Sequence, residues 1–378
     1  MGYIRFFLAS LVLVGHFAPA DWWSVFITTD AAVQGFFMVS GFYMFLVLEK
    51  KYGDLRTFYV NRVLRIYPSY LFILVCAVVA SLTLGAGAHY VPVAVIAEQL
   101  SKLDAASAIL IVFANVAIVF LNAVSFLHVD GGSLAWTPAY KLAPFPAFKL
   151  LVIPQAWSVD LELMFYAIVP FLVRLKSRYI VALILISFAG RVWFYSWGAP
   201  FHRDPWSFRF FPFELALFLT GGLLYRVARD YGRHFNNPRL AWAMLIFLVV
   251  YGSSYAALPS TRLGNFQIRY DVFMIALACS LPFLHCSLSY GGANQFLGDL
   301  SYPIYLNHLF VFNLLATLPF PGSKIFFVVG SICSIGLAIL MVRWIEDPID
   351  RYRQALVRRQ GAVTPAPAAA TVAPIINT

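Results

Sequence analysis

The uncharged stretch IFFVVGSICSIGLAILMV, residues 325–342, decides the fold class. A helix needs about 20 mostly apolar residues to cross the hydrocarbon core of a bilayer, and this stretch has that character. The whole chain has a similar composition, because 61% of its residues are apolar, 17% are aromatic and only 12% are charged. So little polar surface cannot cover a soluble globule. We therefore predict an all-α, polytopic transmembrane helical bundle whose main partner is the lipid bilayer.

Further apolar stretches are long enough to be considered as membrane spans. With the first they are residues 3–20, 31–48, 67–87, 106–127, 157–174, 179–198, 210–228, 239–257, 271–288, 301–318 and 325–345. The positive-inside rule assigns four basic loops to the cytoplasm, at residues 50–65, 174–178, 226–239 and 351–359. Three stretches lie between the first two loops, where an even number of crossings is required. We therefore predict about ten spans with both termini cytoplasmic, and either 67–87 or 106–127 departs from a simple crossing.

The two ends of the chain need separate interpretation. Arg5, a short apolar run and Ala18-Pro19-Ala20 resemble a secretory signal, but a second apolar run follows at once and favours retention. Residues 1–348 are expected to form one membrane domain. Residues 349–378 are expected to form a basic cytoplasmic end and, from Gly361, a disordered Pro/Ala-rich tail.

The formal net charge of +10 does not indicate a nucleic-acid partner. The basic residues lie in short loops between apolar runs, so the charge reflects membrane topology. The four cysteines lie inside apolar segments and lack the spacing of metal ligands. We accordingly predict neither nucleic-acid binding nor a metal site.

Polar side chains inside the predicted spans indicate chemistry. Arg5 and His16 are eleven residues apart, so they share one helix face at heights that differ by roughly 16 Å. Ionisable groups at such positions are costly and usually face a bundle interior or a wet cavity. His16 is therefore a candidate catalytic base, the alternative being a histidine that hydrogen-bonds between helices as structural glue.

A second polar cluster opens the stretch at residues 157–174. Ser158 and Glu162 are four residues apart and share a helix face, whereas Asp160 points elsewhere. If this helix enters from the outer side, Glu162 lies in the same half of the membrane as His16, where a carboxylate could orient an imidazole. The alternative is an interfacial Trp157 followed by two hydrated acids.

A pair of arginines lies at the cytoplasmic edge of the third stretch. Arg62 and Arg65 are three residues apart, a spacing that lets both guanidinium groups meet one phosphate-rich ligand. The alternative is an anchor for lipid headgroups. In later stretches Arg191, Glu214 and His308 are buried by position, and each is also a candidate for an interhelical pair.

The order of these motifs resembles the acyltransferase-3 family of bacterial integral membrane O-acyltransferases. Arg5 and His16 resemble its basic residue, ten intervening positions and histidine. The aromatic run that ends in Ser40-Gly41-Phe42, the Arg62/Arg65 pair, Trp157-Ser158 with Glu162, the segment Leu297 to His308 and Trp344 to Pro348 resemble its later motifs. The chain departs from the pattern at Gln34, where many members carry aspartate, and at Leu163, where a second glutamate is common.

The resemblance implies a membrane enzyme that transfers an acyl group, most simply acetyl, from acyl-coenzyme A to a sugar hydroxyl. The product would be a cell-surface or secreted glycan, and the enzyme would lie in the bacterial inner membrane. By resemblance His16 and Glu162 are catalytic, Arg5, Arg62 and Arg65 bind the coenzyme, and the supporting residues are Ser40, Trp157, Ser158 and His308. Direct transfer and a covalent acyl-histidine both remain open.

A different class of function gives the same composition. A transporter or flippase for a lipid-linked glycan would also show basic loops and buried polar groups. The two classes differ in chemistry, because only the acyltransferase releases free thiol from acyl-coenzyme A.

Overall fold

The computed structural model describes residues 1–18, 26–50, 54–86, 90–198, 200–201, 203–263, 266–288, 291–317 and 323–363. Across these residues the fold is all-α apart from short strands. The helices are α1 (Gly2–Phe17), α2 (Thr29–Lys50), α3 (Leu55–Leu84), α4 (Val93–Lys102), α5 (Ala105–Ala117), α6 (Trp157–Leu172), α7 (Ser177–Ser196), α8 (Phe211–Asp230), α9 (Gly232–Phe235), α10 (Pro238–Ser253), α11 (Ile268–Leu288), α12 (Gly292–Leu315), α13 (Lys324–Met341) and α14 (Asp347–Val363).

The strands form two small antiparallel pairs. In the first, β1 (Leu127–Asp130) pairs with β2 (Ser133–Trp136) across Gly131 and Gly132, whose positive φ angles of 53° and 86° suit a tight turn. In the second, β3 (Arg262–Leu263) pairs with β4 (Phe266–Gln267). Single 3-10 turns at Ala123–Phe126, Tyr140–Leu142, Ala147–Leu150 and Pro154–Ala156 complete the long connection between α5 and α6.

Long apolar helices carry apolar side chains on their outer surfaces. Six helical segments in the described part of the chain are long and apolar enough to cross a membrane: Thr29–Glu49, Leu55–Leu84, Ser177–Ser196, Phe211–Asp230, Ile268–Leu288 and Lys324–Val357. On α3, α7 and α13, large residues such as Leu82, Leu185 and Ile332 are exposed. Such surfaces are stable against lipid and unstable in water, so the chain is an all-α membrane protein.

The stretch at 106–127 is broken, whereas the stretch at 67–87 begins inside the continuous helix α3. Helix α5 has 13 residues, too few for a crossing that needs about 20. Ile118 and Phe120, just beyond it, have positive φ angles of 64° and 67°. Residues of other helices hold the backbone after α5. The Tyr67 hydroxyl on α3 donates to the Ala117 carbonyl, and the Asp160 carboxylate on α6 accepts from the backbone N–H of Asn122.

Glycines permit a close backbone contact between α2 and α8. Helix α2 packs along α8, and α1 packs along α12. A Cβ atom at Gly41 would lie 1.8 Å from the Phe218 carbonyl oxygen, and one at Gly221 would lie 1.9 Å from the Met38 carbonyl oxygen. Small residues at such crossings let two backbones approach closely in a membrane. The α2–α8 contact fixes the position of Ser40, which enters the site below.

Beyond α13, a π-helical turn at Val342–Glu346 leads into α14. Arg353 on α14 donates to the Asn61 side-chain oxygen on α3 at 3.3 Å, so this C-terminal helix packs back onto the bundle. The helix continues to Val363, past the expected start of the tail at Gly361. Residues 364–378 of that tail lie outside the described residues.

Candidate active site

A cavity of about 480 Å³ opens among α1, α2, α3, α6, α12 and α14, and we call it the arginine cavity. Its polar lining consists of Arg5, Ser40, Tyr43, Arg62, Arg65, Ser158, Glu162, Tyr166, Gln295, Asp299, Ser301, Tyr302, Tyr305, Asp350 and Arg353. This lining holds four guanidinium groups and three carboxylates. Arginine forms charge-assisted hydrogen bonds to phosphate, so the guanidinium groups suit an anionic ligand. The cavity is large enough to hold part of a coenzyme-sized molecule.

Two arginines of this cavity are held in different ways. Arg65 forms a salt bridge of 3.1 Å with Glu346, whose other carboxylate oxygen accepts from the Ser69 hydroxyl at 3.0 Å. The Arg62 guanidinium carbon lies 5.7 Å from the ring centroids of both Phe58 and Tyr166. Aromatic faces attract a cation without neutralising its charge. Arg65 is therefore paired with an acid, and Arg62 packs near two aromatic rings.

Glu162 belongs to the arginine cavity. Its carboxylate accepts from the Ser40 hydroxyl, and the Tyr166 hydroxyl donates to the same carboxylate oxygen at 2.5 Å. These contacts join α2 to α6 at the wall of the cavity. Glu162 thereby fixes the orientation of two hydroxyl groups that face any ligand bound there.

A second cavity, of about 100 Å³, contains His16, and we call it the histidine cavity. Its polar lining consists of His16, Thr29, Asp30, Tyr90, Ser125, Gln155, Trp157, Arg209 and Tyr305. The connection between α5 and α6 supplies Ser125 and Gln155, together with the apolar lining residues Phe148 and Leu151. The Arg209 guanidinium carbon lies 4.5 Å from the Trp157 ring centroid and Arg209 pairs with Asp204 at 2.7 Å, which closes one side of the cavity.

The imidazole of His16 has one fixed tautomer when neutral. Its Nδ1 lies 2.8 Å from the Val12 carbonyl oxygen, one turn earlier on α1. A carbonyl only accepts, so Nδ1 carries the proton and the lone pair is on Nε2. His16 remains exposed within the described structure, and its ring centroid lies 5.0 Å from that of His308. The side chain is thus suited to act as a general base through Nε2.

The two cavities share a wall. Arg5 lines the arginine cavity and His16 lines the histidine cavity, about 16 Å further along the same helix. Val33 and Tyr305 line both cavities. At the start of α6, Ser158 lines the arginine cavity and its neighbour Trp157 lines the histidine cavity. The two cavities therefore adjoin at this wall.

The structure brings together most of the residues that the sequence singled out. Five line the arginine cavity beside Glu162: Arg5, Ser40, Arg62, Arg65 and Ser158. His16 and Trp157 line the histidine cavity, where His308 packs against His16. Glu162 and His16, however, lie at different cavities and have different hydrogen-bond partners. The group that orients His16 is the Val12 carbonyl, because that carbonyl is on the same helix within reach of Nδ1.

A buried network accounts for the departure at Gln34. The Gln34 amide nitrogen donates to both Glu214 oxygens at 3.1 Å, and Arg191 pairs with Glu214 at 2.6 Å. Glu214 is fully buried, and the Tyr270 hydroxyl donates to the Gln34 carbonyl oxygen. An aspartate at position 34 would set two carboxylates against each other here, whereas an amide satisfies both neighbours. The interhelical pairing that the sequence suggested for Arg191 and Glu214 is present.

Sequence reasoning left several lining residues without a role. Asp30 lines the histidine cavity, and Asp299, Tyr305 and Arg353 line the arginine cavity. Asp299 and Tyr305 lie in the segment Leu297 to His308. The motif was visible in the sequence, but the sequence did not show that these two side chains face the cavity. Arg353 follows the last span among other basic residues, and only the return of α14 to Asn61 distinguishes it.

Comparison with known proteins identifies the family of this chain. A family model described as an acyltransferase domain, of the acyltransferase-3 family, matches residues 1–343. An uncharacterized protein from Aquifex aeolicus (strain VF5) is 23% identical over 214 residues, which are 54% of this chain and 91% of that protein. No solved structure matches the chain. Since the family model spans nearly the whole sequence, the chain belongs to the acyltransferase-3 family and is a membrane acyltransferase.

Proposed function

We propose that this chain transfers an acyl group, acetyl in the simplest case, from acyl-coenzyme A to a sugar hydroxyl of a cell-surface or secreted glycan. The observation that carries the proposal is the shared wall between the two cavities. One cavity gathers four arginines, which suit the phosphates of a coenzyme, and the other holds an accessible histidine with a basic Nε2. An enzyme that joins a charged donor to an uncharged hydroxyl needs both environments side by side.

In the proposed reaction, Arg62, Arg65 and Arg5 bind the coenzyme's phosphates from the cytoplasmic side. The pantetheine arm extends through the arginine cavity and brings the thioester carbonyl to the shared wall. The acceptor hydroxyl enters the histidine cavity, where His16 Nε2 takes its proton as the oxygen attacks the carbonyl carbon. Positioning the two reactants in adjoining cavities supplies much of the rate enhancement.

The acceptor side is proposed to be open to the outer surface of the inner membrane of a bacterium. The long connection at residues 118–156 lines the histidine cavity through Ser125, Phe148, Leu151, Pro154 and Gln155. Aromatic and polar side chains together suit a sugar ring. Mass spectrometry of surface glycans from cells with and without the gene tests this point. Acyl groups that disappear with the gene identify the acceptor, and unchanged glycans argue against a surface glycan.

The topology that this scheme requires has ten spans and cytoplasmic termini. Counting α1, α2, α3, α6, α7, α8, α10, α11, α12 and α13 as crossings gives ten, with α5 as a segment that enters and returns. A reporter fused after Arg358 tests this arrangement. Cytoplasmic activity of the reporter agrees with ten spans, and periplasmic activity contradicts them.

Arg62→Ala is expected to raise the Michaelis constant for acetyl-coenzyme A about tenfold or more, because it removes one charge-assisted hydrogen bond to phosphate.

Arg65→Ala should weaken donor binding similarly but also destabilise the fold by about 3–5 kcal/mol, since it leaves buried Glu346 without its cation. The double variant Arg65→Ala with Glu346→Gln should recover stability and not donor affinity. Steady-state kinetics and thermal unfolding separate the two arginines, and effects confined to acceptor kinetics contradict the assignment.

We propose that Glu162 acts by holding the Ser40 and Tyr166 hydroxyls toward the donor. Glu162→Gln should then lower kcat/KM for the donor about tenfold or more, mainly through KM. Asp160→Asn is the matched control, since Asp160 instead holds the backbone of Asn122 at 2.8 Å. It should lower stability more than donor affinity.

The kinetic split distinguishes two roles for Glu162. A fall in kcat of about a hundredfold with unchanged donor KM would assign Glu162 to the orientation of His16, as the sequence first suggested. Equal kinetic losses for Glu162→Gln and Asp160→Asn would mean that both acids serve folding.

A further inference from the structure

Tyr305 occupies the position where the two cavities meet. Of the two residues that line both cavities, Val33 has only an apolar side chain, so Tyr305 supplies the polar group of the shared wall. Its ring is buried, at 7% exposure. Tyr305 lies on α12 and packs near His308, whose Nδ1 donates to the Tyr305 carbonyl at 2.7 Å. The backbone of this residue is therefore held firmly beside the histidine pair.

The Tyr305 hydroxyl takes part in a short chain of hydrogen bonds. It donates to the Gln155 carbonyl oxygen at 2.7 Å, and the Ser158 hydroxyl lies 2.6 Å from it. A phenol has one proton, and a carbonyl only accepts, so the Ser158 hydroxyl must donate to the Tyr305 oxygen. A hydrogen bond received by the phenol oxygen strengthens the phenol as a donor. These hydrogen bonds thus make the Tyr305 hydroxyl a stronger donor in the shared wall.

We infer that Tyr305 is a catalytic residue that hydrogen-bonds to the carbonyl oxygen of the thioester as that oxygen becomes negatively charged. The inference rests on the proposed acyl transfer. The Tyr305 hydroxyl turns from the Gln155 carbonyl to the oxyanion, which is the stronger acceptor because it carries a full charge. Ser158 acts through Tyr305 and is a positioning residue.

The proposed transfer passes through a tetrahedral intermediate. The acceptor oxygen forms a bond to the thioester carbon, its proton passes to His16 Nε2, and the π electrons of the carbonyl move to the oxygen that Tyr305 stabilises. When the carbonyl reforms, the carbon–sulfur bond breaks and coenzyme A leaves as a thiolate. The proton on His16 passes to that thiolate. The products are the acyl ester and the free thiol, and no other reactant is needed.

Tyr305→Phe tests this role, because it removes the hydroxyl and keeps the ring. We expect kcat for acetyl-coenzyme A turnover to fall about 10²-fold. The Michaelis constant and the affinity for a non-reactive thioether analogue of acetyl-coenzyme A should change less than about threefold. Tyr251→Phe is the matched control, since its hydroxyl also donates to a backbone carbonyl, at 3.1 Å, but lines neither cavity. It should retain wild-type kcat.

Ser158→Ala supplies the second arm of the test. Alone it should lower kcat about tenfold, and added to Tyr305→Phe it should lower kcat no further, because its effect passes through the phenol. A Tyr305→Phe enzyme with kcat within threefold of wild type would overturn the inference. So would parallel losses of kcat and analogue binding, which indicate a structural role. Wild-type protein that releases no thiol would instead overturn the proposed acyl transfer itself.

Discussion

His16→Ala is expected to reduce acyl transfer by about 10³-fold or more while the protein still inserts and folds. In the proposed reaction the histidine is the base that takes the acceptor proton, and general base catalysis typically contributes about 10²–10⁴-fold. The hydrogen bond from His16 Nδ1 to the Val12 carbonyl leaves Nε2 as the accepting nitrogen. Turnover is measured as free thiol released from acetyl-coenzyme A by the purified protein.

Two comparisons make the His16 result specific. His234→Ala, at an exposed position on α9, should keep full activity. Binding of the thioether analogue by His16→Ala should match wild type, because the arginines proposed to hold the donor line the other cavity. An active His16→Ala protein would remove this histidine from the mechanism.

Gly221→Val is expected to prevent accumulation of the folded protein. A Cβ atom there would lie 1.9 Å from the Met38 carbonyl oxygen, and a valine adds two further methyl groups. The obstacle is backbone rather than a flexible side chain, so α2 and α8 must separate, at a cost above about 3 kcal/mol. The expected outcome is loss of the monodisperse peak in detergent size-exclusion chromatography.

Gly336→Val on α13 is the matched control for this substitution. It also places valine in an apolar helix, but a Cβ atom at Gly336 meets no heavy atom within 4 Å. This variant should fold and unfold at close to the wild-type temperature. A well-folded Gly221→Val protein would contradict the close α2–α8 crossing that positions Ser40.

Hydropathy was enough to predict the helices but not which apolar stretch is interrupted. Residues 106–127 are as apolar as a span, and no glycine or proline marks the break after Ala117. The segment is instead held by groups remote in sequence, the Tyr67 hydroxyl and the Asp160 carboxylate. Tertiary contacts of this kind leave no periodic signal in a single sequence.

Helix spacing predicted shared faces well and distances between helices poorly. It grouped Arg62 with Arg65 and Ser158 with Glu162, and all four line the arginine cavity. It also suggested a contact between Glu162 and His16, whereas these two residues line different cavities. A helical wheel gives the direction of a side chain around its own axis, but relative depth depends on how α6 starts against α12. The Gln155 amide fixes that start by donating to the Leu306 carbonyl at 2.8 Å.

In the proposed reaction a thioester bound among the arginines is attacked by a hydroxyl activated at His16. The test uses inverted inner-membrane vesicles from cells that make the glycan acceptor. In the proposed topology these vesicles expose the arginine cavity to added acetyl-coenzyme A that carries ¹⁴C in its acetyl group. Label incorporated into glycan should equal the free thiol released, and vesicles carrying His16→Ala should show neither. Vesicles that move a lipid-linked glycan across the membrane without releasing thiol or incorporating label would contradict the account and indicate a transporter.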